Sequence, residues 1–112
     1  MSRGGWIGVD LDGTLAFYDT WKGPDHIGVP VPSMVDRVKR WRAEGLDVRI
    51  FTARAANATS GEISRIARWS LDHLGEVLPI TATKDFGMRE LWDDRAVTVR
   101  KNTGEILTRV AG

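Results

Sequence analysis

Val9-Asp10-Leu11-Asp12-Gly13-Thr14-Leu15 ends an apolar run and places two carboxylates two residues apart, where the chain enters a glycine turn. Residues 5 to 10 read as a first strand, buried from Trp6 to Val9. Side chains alternate faces only while a strand lasts, so the turn after Asp10 can bring both acids to the strand's carboxyl edge. Ligands of open α/β sheets bind at that edge. There, one carboxylate can attack an electrophile such as phosphorus, while its neighbour carries a proton to the leaving group and later activates water. A bare Asp-x-Asp pair is equally well a turn cap; the seven-residue string is more specific.

Outward from that string, the pattern alternates strand and helix. Met34 to Glu44 reads as a helix with Val35, Val38 and Trp41 on one face, Ser33 as its cap and Gly45 as its stop. Leu46 to Phe51 reads as a second strand. Gly61 to Leu74 reads as a second helix turning Ile63, Ile66, Ala67, Ser70, Leu71 and Leu74 inward, with Gly75 as terminator. A short third strand falls near Val77 to Ile80, a helical turn over Phe86 to Leu91, and a short buried strand at Leu91 to Trp92. Ala96 to Arg100 and Glu105 to Val110 flank Asn102-Thr103-Gly104 and read as a C-terminal β-hairpin. The expected fold is α/β: a three-layer sandwich, Rossmann-type, with a mainly parallel sheet covered on both faces.

Composition bounds the chemistry. The 112 residues suit one domain, residues 1–112, with no second folding unit. With 42% hydrophobic and 28% charged residues the chain reads as globular, neither disordered nor membrane-embedded. No apolar run approaches the roughly 18 residues of a membrane span, and no signal pattern opens the sequence, so the expected address is cytoplasmic. The absence of cysteine removes disulfides, thiolate nucleophiles and cysteine-ligated zinc, leaving carboxylates to do covalent and metal chemistry. A net charge of +1 neither demands nor excludes a nucleic-acid partner.

Asp10 to Leu15 resembles the first signature of the haloacid dehalogenase superfamily of phosphohydrolases, Asp-x-Asp-x-Thr-Leu/Val after a strand. The similarity continues in order along the chain. Ile50-Phe51-Thr52-Ala53-Arg54 resembles the second signature, Lys84 in Thr83-Lys84-Asp85 is placed like the third, and Trp92-Asp93-Asp94-Arg95 is similar to the acidic fourth. The resemblance implies that Asp10 is the nucleophile of an aspartyl-phosphate and Asp12 the acid/base. It implies that Thr52 donates its hydroxyl to a phosphoryl oxygen and that Lys84 neutralises both that oxygen and Asp10. It also implies a capless member, because about 18 residues separate Leu15 from the first helix and the 32-residue step from Thr52 to Lys84 is consumed by one helix and one strand. A large substrate, or closure of the site by a second copy of the chain, follows from that.

Asp10, Asp12, Asp93 and Asp94 at one sheet edge would repel one another unless a hard cation sits among them. Magnesium suits oxygen ligands and retains waters. The expected direct ligands are Asp10, Asp93 and the Asp12 carbonyl, with Asp94 holding a metal-bound water or orienting Lys84. Arg54 completes a Thr-x-Arg string similar to that of polynucleotide 3'-phosphatase domains, which places it against substrate phosphate and makes a nucleotide or polynucleotide 3'-end the first substrate expected. A phosphorylated small molecule is the other substrate class. Ala16 to Pro32 would form a flap over the site, in which Trp21 or Tyr18 either stacks on a base or covers the sheet or a dimer contact. His26 reads as a loop histidine or a second acid/base. The expected activity is magnesium-dependent hydrolysis of phosphate monoesters. The competing reading is a silent binding or regulatory module of the same fold, and a dehalogenase is disfavoured because dehalogenating relatives lack the acid that Asp12 supplies.

Overall fold

A computed structural model describes residues 4–108. Its elements are β1 (Trp6–Val9), α1 (Pro32–Ala43), β2 (Asp47–Phe51), a 3-10 turn (Ala53–Ala55), α2 (Ser60–Leu74), β3 (Ile80–Thr81), β4 (Met88–Trp92), β5 (Thr98–Val99) and β6 (Ile106–Thr108). The first four strands form a sheet in the order β3-β2-β1-β4 with every pairing parallel, and β5 and β6 form a separate antiparallel hairpin. The α/β class, the mainly parallel sheet and the C-terminal hairpin match the expectation from sequence. The expected hairpin residues Arg109 and Val110 lie outside the described residues.

β1 is central, and all four of its residues are buried. β2 alternates, with Val48 and Ile50 in the core and Asp47 in solvent. From β1 through α1 to β2, and from β2 through α2 to β3, the chain steps across the sheet in one direction. Right-handed crossovers therefore bring both helices to the same face. Met34, Val35 and Val38 of α1 and Ile66, Trp69 and Leu74 of α2 meet Ile7, Val9, Val48 and Ile50 there. The opposite face carries Trp6, Gly8 and Phe51, and the Arg49 guanidinium lies 4.6 Å from the Trp6 ring centroid. No helix covers that face among the described residues, so the fold has two layers of regular structure where three were expected. The missing layer follows from the short β3–β4 connection, residues 82–87, which contains no helix.

The helix ends follow local chemistry. α1 starts at Pro32 with no side-chain cap, so Ser33 lies inside the first turn instead of capping it. The ring of Pro32 pre-sets helical φ where an N–H has no partner to lose. Thr59 caps α2 by accepting from the Glu62 N–H, and Gly75 ends it in the left-handed region at φ 84°. Within α2, Trp69 is buried, and Leu71 is exposed where the expected stripe turned it inward. The Trp69 indole N–H donates to the Gly28 carbonyl at 2.9 Å, which draws the ring under the segment that follows β1. Of the helical turn expected over Phe86 to Leu91, Met88 to Leu91 belong instead to strand β4, which extends the strand expected at Leu91 to Trp92: pairing with β1, 82 to 83 residues away along the chain, overrides local propensity. No helix among the described residues is long and apolar enough to cross a membrane.

Ser70 is fully buried; its hydroxyl donates to the Glu76 carbonyl at 2.7 Å and accepts from the Leu78 N–H at 3.1 Å, fastening the end of α2 to the approach to β3. Ser70→Ala leaves a buried N–H and carbonyl unpaired. Chemical denaturation is expected to show a loss of about 1–3 kcal/mol with the circular dichroism spectrum unchanged.

Candidate metal and phosphoryl-transfer site

The site begins where β1 stops. The Asp10 N–H donates to the Trp92 carbonyl at 2.9 Å, so the last rung between β1 and β4 sets Asp10 beside the end of β4. Leu11 and Leu15 then return to the core, both with no exposed surface. A tight loop closes between them as the N–H groups of Leu15 and Ala16 donate to the Leu11 carbonyl at 3.0 and 2.8 Å. Gly13 sits at φ 90°, and a Cβ there would lie 2.6 Å from an Asp94 carboxylate oxygen. Thr14 Oγ1 accepts the Asp94 N–H at 3.1 Å and donates to Asp94 Oδ1 at 3.2 Å. Gly13 and Thr14 thus form the seat on which the second acidic segment docks.

Asp10, Asp93 and Asp94 each offer a carboxylate oxygen, and these atoms all lie within 4.8 Å of one another. Burial above all, then the Asp93 charge and a hydrogen bond and charge from Asp94, push the Asp10 carboxyl up to about 7; the Leu11 N–H opposes the rise. The Asp93 carboxylate accepts the Arg95 N–H at 2.7 Å, which fixes its orientation. The donor set is oxygen only, as a hard divalent cation requires. Opposite ligands of octahedral magnesium lie roughly 4.2 Å apart, and three oxygens within 4.8 Å of one another are close to that size. The residues fit such an ion, and their chemistry alone does not single out magnesium.

Asp12 takes a different part. Its carboxylate is outside the triad and pairs with Arg54, with Nε to Oδ2 at 2.7 Å and Nη2 to Oδ1 at 3.0 Å. Only 9% of the Arg54 side chain and 20% of the Asp12 side chain is exposed. Thr52 is buried at the end of β2; its Oγ1 accepts the Arg54 N–H at 3.2 Å, which leaves the hydroxyl proton free to be donated. Asp10, Asp12, Thr52, Arg54, Asp93 and Asp94 all line one open cleft of about 660 Å³. Tyr18 and Trp21 of the flap line it too, whereas His26 does not. Lys84 follows β3 but is exposed, outside the cleft lining, and makes no hydrogen bond or ion pair among the described residues.

Arg95 also lines the cleft, outside the set of site residues expected from the sequence. Its side chain has no hydrogen bond or ion pair among the described residues. The available signal was its position directly after two acids at a strand end, where a cation can reach an anion held by those acids.

No family model and no curated protein matches the chain. Among solved structures, a conserved protein from Bacteroides thetaiotaomicron matches with a TM-score of 0.59 at 18% identity, over 95% of this chain and 84% of that one. That likeness defines the class: an α/β protein built on a parallel sheet.

Two predictions follow from the acidic triad. A carboxyl raised to about 7 from an unfolded value near 3.8 costs stability as pH rises between those two values and costs nothing below them. In EDTA, Asp10→Asn is therefore expected to unfold about 1–3 kcal/mol later than wild type at pH 8 and no later at pH 4, read by denaturation at both pH values. Gly13→Ala pushes its methyl group into Asp94, and calorimetric titration with magnesium is expected to show at least tenfold weaker binding than wild type.

Proposed function

We propose that this chain is a magnesium-dependent phosphohydrolase that cleaves phosphate monoesters through an aspartyl-phosphate on Asp10. The observation that carries the reading is the placement of Asp10, within an oxygen-only acidic triad, at the same sheet edge as a second, separately held carboxylate, Asp12. One carboxylate is free to take a cation while the other is kept out of that cluster, which is the division of labour that nucleophilic and proton-transfer roles require.

In the proposed cycle an Asp10 oxygen attacks phosphorus, the bond from phosphorus to the ester oxygen breaks, and Asp12 gives that oxygen its proton. Water then attacks the aspartyl-phosphate, Asp12 takes the proton from the water, and Asp10 and inorganic phosphate are released. Bound between Asp10, Asp93 and Asp94, magnesium would offset the charge of carboxylates and phosphate. Thr52 supplies a hydroxyl donor and Arg95 a cation at the cleft wall. Phosphate monoester hydrolysis asks for about 20 kcal/mol of barrier reduction, and positioning plus charge neutralisation are the means available here.

The open cleft suits a nucleotide or polynucleotide 3'-end, with Tyr18 and Trp21 as stacking faces. Lys84 favours the second reading, a binding or regulatory module, because its ammonium group is not at the cleft that holds the acids.

Phosphate release from p-nitrophenyl phosphate tests the two readings. The phosphohydrolase reading expects turnover with magnesium, none with EDTA, and a loss of at least about 1000-fold in Asp10→Asn. A panel of 3'-phosphorylated oligonucleotides, mononucleotides and sugar phosphates then ranks substrates, with the oligonucleotides expected first. Magnesium and phosphate-analogue binding without turnover of any ester would favour the module.

A further inference from the structure

Arg54 is the residue whose surroundings depart most from a phosphate ligand's. Its guanidinium head has five N–H donors. One on Nε and one on Nη2 go to Asp12, the second on Nη2 goes to the His26 carbonyl at 2.7 Å, and Nη1 reaches the Pro24 carbonyl at 3.4 Å. The Cζ of the group lies over the Trp21 ring, 4.7 Å from its centroid. Bidentate recognition of phosphate takes two parallel donors. Only one donor is uncommitted, so a substrate phosphate could be held that way only by taking donors from Asp12 or from the flap.

The flap depends on the same group. Its base is closed by the Phe17 N–H on the Val29 carbonyl at 2.8 Å, and Ile27 packs against the core as the chain returns. Between residues 18 and 26, the polar ties to the body among the described residues are Arg54 and the Arg65–Asp25 pair. That second pair is 45% and 78% exposed, and such pairs hold little. The buried tie is the one that also carries Asp12.

We infer that Arg54 is a positioning residue, not a ligand of substrate phosphate: one guanidinium straps the flap to the Asp12 carboxylate, so that closing the flap and aiming the proton-transfer group are a single event. The role given to Asp12 rests on the phosphohydrolase reading; the strap itself does not. Substrate enters the cleft with the strap closed, and its phosphate meets Thr52 and Arg95 rather than Arg54. Lysine cannot replace the strap, because three donors on one nitrogen do not span two carboxylate oxygens and two carbonyls.

Hydrogen–deuterium exchange on the whole chain, followed by mass spectrometry, tests the strap in wild type, Arg54→Ala and Arg54→Lys. Both variants are expected to speed exchange of residues 18–27 at least tenfold while β1 and β2 keep wild-type protection. Trp21→Leu removes the ring that lies against Arg54 and keeps the Arg54–Asp12 pair, and faster exchange of residues 18–27 in it decides the matter if an Arg54 variant loses protection in the sheet. On p-nitrophenyl phosphate with magnesium, both Arg54 variants are expected to lose about 100-fold in kcat with KM within threefold of wild type. Unchanged flap exchange in the variants overturns the strap. So does a large rise in KM that lysine repairs, which is the signature of a phosphate ligand. A wild-type protein with no turnover counts against the phosphohydrolase reading and leaves the exchange result to decide the strap.

Discussion

Three carboxylates crowded at the joint end of β1 and β4 are the constraint on which this structure turns. Asp10, Asp93 and Asp94 hold oxygens within 4.8 Å of one another, the first two half-buried and Asp94 exposed, and burial first, then the neighbouring charges, raise the Asp10 carboxyl to about 7. Nothing in the packing requires the cluster; it is imposed by the backbone bond from Asp10 to Trp92 and by the docking of Asp94 onto Gly13 and Thr14. The protein thereby keeps unfavourable charge in place with well-made local structure. Such an arrangement favours whatever neutralises it, a proton in the absence of metal or a hard cation when one is available.

Asp12 escapes that crowding through Arg54. Two residues from Asp10 in sequence, it stands outside the triad, and its charge is matched by a guanidinium that also gathers the flap. The two acids of one short motif thus meet opposite electrostatic environments, one repelled by its neighbours and one paired. Without a cation the first environment favours a proton on Asp10, so the proposed nucleophile depends on a hard cation among the three carboxylates to keep Asp10 ionised.

Much of this was legible in the residues because it depends on local signals. A buried apolar run ending at a glycine turn locates β1 and its acids, and the helical spacing of Ile66, Ser70 and Leu74 with Gly75 beyond locates α2. What escaped depends on partners distant in sequence. Leu91 and Trp92 read as strand, but Met88 to Glu90 join β4 because β1 lies beside them; those three residues do not announce it by themselves. Leu71, at helical spacing with the core residues of α2, is exposed, and the indole of Trp69 finds its partner at Gly28, 41 residues away. Both helices share one face because the chain steps across the sheet in one direction from β1 to β3, and the other face carries no helix because the β3–β4 connection is too short for one, a consequence of topology more than of pattern. At the cleft, the Thr-x-Arg spacing located Arg54 at the right loop but not its partner, which lies 42 residues away. The same spacing logic marks Lys84 at the end of β3 without showing that it faces solvent.

The most direct test of the account is a crystal structure of the protein grown with magnesium and beryllium fluoride, which mimics a phosphoryl group on a carboxylate. The account predicts trifluoroberyllate on an Asp10 oxygen, with magnesium bound by Asp10 and by Asp93 or Asp94, and with the Arg54–Asp12 pair intact beside them. Trifluoroberyllate absent from Asp10, with no ion among the three carboxylates, would contradict it.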